Sequence, residues 1–127
     1  MVRLLAVLLI LWATPGHSSP WTVTDLGRLY KEHHCMQAAR RTFEIALAEF
    51  RVDRIRASDW VTYADSINGR HDALITCTYG DNRGTRATLV IHTPPQSAQD
   101  RYLVRRLRSI FDEQSALITQ AWKDSFQ

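Results

Sequence analysis

WVTYADSINGRHDALITCTY, residues 60–79, alternates β-branched and aromatic residues with polar ones on both sides of Asn68-Gly69. A period of two marks a half-buried strand, and Asn-Gly supplies the two positive φ angles of a type I′ turn, so the stretch reads as a β-hairpin. TRATLVIH, residues 85–92, repeats the pattern beyond a longer turn flanked by Gly80 and Gly84. Three antiparallel strands in a meander are therefore expected, with Ile75, Cys77 and Tyr79 sharing one face of the middle strand. Pro94 and Pro95 end the sheet, because proline cannot donate a ladder hydrogen bond.

The flanks read as helices. Residues 24–50 contain no proline, and Thr24 or Asp25 can cap their start. Cys35, Ala38, Ala39, Thr42, Phe43, Ala46, Leu47 and Phe50 fall on one stripe, while Leu26, Leu29, Tyr30, His33 and Met36 occupy a rotated face nearer the start. RVDRIRASD, residues 51–59, mixes both signs of charge and reads as a frayed helix end and a connection. Past the sheet, Ser97 and Asp100 have the spacing of a capping box, opening a second helix that runs to about Trp122. Leu103, Leu107, Ile110, Leu117 and Ala121, flanked by Val104, Phe111 and Ile118, give it a wide apolar stripe. The expected fold is α+β in the order α-β-β-β-α, a three-stranded antiparallel meander with both amphipathic helices on one face. The large aromatics Trp21, Trp60, Tyr63, Tyr79 and Trp122 are expected mostly at the core or its edge, with Trp21 and Trp122 also placed to anchor a partner.

At the N-terminus, Arg3 precedes an apolar run from Leu4 to about Ala13, then Pro15-Gly16 and small polar residues. This is the plan of a secretory signal peptide. The run is about half of the ~20 residues that a membrane-spanning helix requires, which argues against a permanent anchor. Cleavage after Ser18 makes residues 1–18 the leader and residues 19–127 one small domain, in a secreted or periplasmic location. Losing the leader removes Arg3 and no acid, which lowers the formal charge from +3 to +2. Cleavage after Gly16 would instead expose His17 as an N-terminal copper chelate.

Cys35 and Cys77 are the only cysteines, and an even pair in an exported chain is first a disulfide. YKEHHC, residues 30–35, raises the alternative of a metal or redox site built from His33, His34, His71 and His92. Adjacent histidines diverge by about 100° on a helix, and positions 37 and 38, one turn on, hold glutamine and alanine. His71 and His92 are expected near opposite ends of the meander. A staple is therefore favoured over a site, and no cofactor is called for. Asp72 beside His71 resembles an acid–base pair, the basis for a third reading as a small hydrolase. No G-x-S-x-G elbow accompanies it, so the enzymatic reading is the minor one.

RYLVRRLR, residues 101–108, is the densest basic run, and Arg101, Arg105 and Arg108 fall on one helical stripe. Asp112 continues that stripe with opposite charge, and its plain reading is a solvated helix face; on the binding reading the three arginines, with the turn residues Asp81, Asn82 and Arg83, are the candidate contacts for an acidic protein surface. Export removes nucleic acid from the expected partners, and the strands lack the aromatic and basic clusters of a single-strand binder. A leader, one disulfide and about 110 mature residues form a format similar to that of many small periplasmic proteins of bacteria, inhibitors and immunity proteins among them; this is similarity of format only, and no residue carries over from it. The leading expectation is an exported, disulfide-stapled small binding protein acting on a protein partner, with an inhibitor or immunity-type factor as one form of it.

Overall fold

A computed structural model describes residues 20–80, 84–95 and 97–127. The leader residues lie outside it. The fold is α+β, as expected, but its order is β-α-β-β-β-β-α: β1 (Trp21–Leu29), α1 (Glu32–Ala46), β2 (Arg54–Ala57), β3 (Val61–Ile67), β4 (His71–Tyr79), β5 (Thr85–His92) and α2 (Arg101–Asp124). The described strands form one sheet in the order β1-β5-β4-β3-β2, with every pairing antiparallel. The expected meander is present as β3-β4-β5. The expectation of only three strands is corrected by an added strand at each edge.

The first added strand lies where a helix was expected to begin. Trp21, Thr22, Val23 and Thr24 have strong strand preference, and β1 pairs with β5 from Trp21↔His92 to Leu29↔Thr85. A bulge between Asp25 and Gly27 interrupts the pairing, with Gly27 at φ +94° and its N–H donating to the Asp25 carboxylate at 2.9 Å. The extra residue lets Leu26 and Leu29, three positions apart, both turn into the core. A bulged strand thereby imitates the spacing of a helix. The helix proper starts only at Glu32 and buries His34, Cys35, Ala38, Ala39, Thr42, Phe43 and Ala46.

The second added strand is β2, inside the charged stretch read as a connection. Arg54 and Arg56 both donate to the Asp65 carboxylate on β3, at 3.2 Å and 3.0 Å. Charged side chains on a four-residue edge strand also discourage pairing with another chain. The Asn68-Gly69 turn forms as expected, with φ of 54° and 69° and the Arg70 N–H donating to the Ile67 carbonyl at 3.1 Å. Asn68 and Arg51 exchange hydrogen bonds, which tie the hairpin tip to the chain leaving α1.

Both helices contribute to one hydrophobic core on one face of the sheet, where Phe43, Leu103, Leu107, Ile110 and Phe111 meet Ile75, Leu89 and Ile67. The helices run antiparallel, since the start of α1 meets the end of α2 and Glu49 beyond α1 pairs with Arg106 near the start of α2. Asp100 alone caps α2, accepting from the Leu103 N–H at 2.9 Å, so the helix opens later than a Ser97 cap implies. Leu117, 58% exposed, and Ala121 drop out of the expected core stripe. Trp21, Trp60 and Tyr79 are also exposed rather than at the core. Trp21 and Val23 lie on the other, uncovered sheet face, beside Val90, Leu74 and Tyr63.

The expected disulfide joins Cys35 to Cys77, with Cα atoms 5.9 Å apart, and it ties α1 to the central strand. Both residues are enclosed. Linking positions separated by 42 residues stabilises the domain by up to about 4 kcal/mol in the chain-entropy account. Replacing both cysteines by alanine is expected to lower the unfolding free energy in urea by up to that amount, and an unchanged midpoint would contradict the assignment. Two glycines give a finer check. An alanine Cβ at Gly84 (φ +92°) would stand 2.5 Å from the Leu29 carbonyl oxygen, whereas at Gly27 nothing lies within 4 Å. Gly84→Ala should therefore lower the thermal midpoint more than Gly27→Ala, which carries only the backbone strain of about 1–2 kcal/mol.

Candidate functional site

The four arginines of RYLVRRLR divide into two groups. Leu103 and Leu107 face the core, which turns Arg106 toward Glu49 and leaves Arg101, Arg105 and Arg108 exposed. Arg106 makes a two-pronged ion pair with Glu49, with Nε at 2.8 Å from both carboxylate oxygens. That hydrogen bond holds the Glu49 carboxyl below its ordinary pKa. Arg40, Arg51, Arg54, Arg56 and Arg86 are likewise paired with acids. Among the described residues, none of Arg101, Arg105 and Arg108 takes part in an ion pair. They form a row of uncompensated guanidinium groups, spaced at one and two turns of a rigid helix.

Asp81, Asn82 and Arg83 lie outside the described residues. Their flanks, Gly80 and Gly84, are joined by a 3.1 Å backbone hydrogen bond, and Gly84 sits against the β1–α1 junction at Leu29 and Tyr30. Tyr30 at that junction stacks on Trp122, so Gly84 stands nearer the C-terminal end of α2 than the arginine row at its start.

The structure does not assemble the alternative metal site. Asp72 pairs directly with His92, so His71 and His92 share one end of the sheet, contrary to the expectation that they lie at opposite ends. Alternation nevertheless turns them to opposite faces. His71 is buried against the Thr93 hydroxyl, 3.1 Å from Nδ1, while His92 lies on the open face against Trp21. His33 and His34 stand beside Cys35, whose partner Cys77 lies toward the other end of β4, six residues or about 20 Å along the strand from His71. Among the described residues, no group of three or more His, Cys, Asp or Glu side chains could hold a metal ion. The exposed thiol pair of the redox reading is absent as well, because both sulfurs are bonded and buried. The His71–Thr93 pair is too enclosed to meet a substrate.

A second feature, not foreseen in the sequence, is a groove of about 410 Å³ between the start of α1 and the end of α2. His33, His34, Gln37 and Arg41 line it from α1, and Gln114, Leu117, Ile118, Ala121 and Trp122 from α2. Gln114 and His34 are each 7% exposed. Neither side chain has a hydrogen-bond partner among the described residues, and neither is among the fully enclosed polar atoms without one, so the exposure they retain opens into the groove. The legible signal was Gln114 itself, a polar residue in the inward series of Leu107, Ile110, Phe111 and Ile118.

Burial lowers the pKa of His34 below its ordinary 6.5, helped by the neighbouring His33 and Lys31. Burial also lowers that of His71, with Asp100 opposing. Both imidazoles are neutral in the folded protein at pH 7. The unfolded chain binds more protons just below pH 6.5, so stability is fully present above that value and is lost as pH falls toward the depressed folded values. A proton NMR titration is expected to show His34 and His71 titrating below 6.5, and a value above 6.5 for either would contradict its burial.

No family model, no curated protein and no solved structure matches the chain.

Proposed function

We propose that the chain is an exported binding protein of the inhibitor or immunity type, acting on an acidic protein surface without a cofactor. The observation that carries this reading is the exposed, uncompensated row of Arg101, Arg105 and Arg108 on a helix fixed by its core face and by the Arg106–Glu49 pair. Arginine binds carboxylates in a planar, two-pronged geometry, and a rigid helix presents it with little ordering cost. The buried disulfide fits an oxidising compartment, and no helix among the described residues is long and apolar enough to cross a membrane.

The test is the triple variant Arg101→Glu, Arg105→Glu and Arg108→Glu, compared with wild type in affinity capture from the extracytoplasmic fraction of the host, followed by a binding measurement with the captured protein. Each charged hydrogen bond is worth about 1.5–3 kcal/mol, so reversing three charges should lower affinity at least a hundredfold with an unchanged thermal midpoint. The wild-type association rate should also fall as salt rises. Full-strength binding by the triple variant would remove the arginine row from the proposal.

A further inference from the structure

The groove between the two helices differs in kind from the arginine row. It is concave and falls within the size range of small-ligand sites, about 300–1,000 Å³. Two polar side chains more than nine-tenths buried, Gln114 and His34, open into it without a protein partner among the described residues. Arg41 is the one residue among Arg, Lys, Asp and Glu in its lining. No ion pair among the described residues engages Arg41, an exposed residue in the third turn of α1, so its guanidinium is open to a ligand. This balance disfavours a cation and favours an anion. Leu117, Ile118, Ala121 and Trp122 meanwhile offer an apolar wall, with the Trp122 ring held by stacking on Tyr30 and edge contact with His34. A simple inorganic anion would leave that wall unused.

We infer that the groove binds a small organic carboxylate with a flat apolar body. Arg41 takes the carboxylate, Gln114 and His34 supply hydrogen bonds, and the body lies against Trp122 and Ile118. The neutral His34 ring both donates and accepts, and the Gln114 amide does the same, so the pair can meet a polar group on the ligand in either sense. Most of the specificity for charge then rests on Arg41, the one residue among Arg, Lys, Asp and Glu in the lining. This site stands apart from the protein-partner reading, because its residues belong to the start of α1 and the end of α2.

The experiment is an NMR titration of the protein, bridge intact, with indole-3-acetate and with its uncharged twin indole-3-acetamide. Saturable shifts are expected at the His34 ring, the Gln114 side-chain amide and the Trp122 indole N–H, with the amide twin weaker by about tenfold or more. Arg41→Gln should weaken indole-3-acetate to the level of the twin, and Gln114→Leu should weaken both compounds while leaving the thermal midpoint in place. Arg105→Gln, in the arginine row, should change nothing. The inference is overturned if the groove resonances do not move up to roughly 10 mM probe. It is equally overturned if acid and amide bind alike, or if Arg105→Gln weakens binding as much as Arg41→Gln.

Discussion

The cross-link between Cys35 and Cys77 sets the relation of helix to sheet on which the other contacts are built. Cys77 lies on β4, the central strand of the five, and Cys35 lies in the second turn of α1. Bringing these two backbones to 5.9 Å places the small residues Ala38 and Ala39 of α1 on the sheet, where bulkier side chains would hold the helix away. With α1 so placed, Phe43 fills the centre of the core, and α2 has one position in which Leu103, Leu107 and Ile110 all find apolar contact. A domain of this size buries limited apolar area, so a covalent constraint on the unfolded chain carries a large share of its stability.

The outer strands follow a different logic. β1 closes the free edge of β5, yet its bulge places Leu26 and Leu29 at a helical interval, and Tyr30 and His33 extend that interval toward the true helix. Hydrophobic spacing was thus a misleading guide at that point, while the β-branched run from Trp21 to Thr24 was the truer one. β2 was obscured for the opposite reason. Its exposure leaves it with charged side chains, and only their shared partner Asp65 across the strand pair gives those charges a structural meaning.

Charge on the surface is sorted in the same way. Arg106 and its neighbours at 101, 105 and 108 are indistinguishable as letters, but helical phase and the position of Glu49 make one a tie between helices and leave three free to meet something else. The groove arises from a comparable accident of phase. Leu117 and Ala121, on the edge of the apolar stripe of α2, form the wall of an opening beside the first turns of α1, and Gln114 lines it with them.

The central hairpin, its Asn-Gly turn, the third strand, the existence of two amphipathic helices and the pairing of the two cysteines were all legible in the sequence, because each depends on local backbone preference or on there being only two thiols to join. The strand character of residues 21–29 and 54–57, the opposite facing of His71 and His92, the burial of His34 and the separation of Arg106 from its neighbours were decided only by the tertiary structure. Each depends on a partner remote in sequence: β5 for β1, Asp65 for β2, the α2 aromatic Trp122 for His34, and Glu49 for Arg106. Local pattern records what a residue prefers, and long-range pairing selects which of those preferences is met.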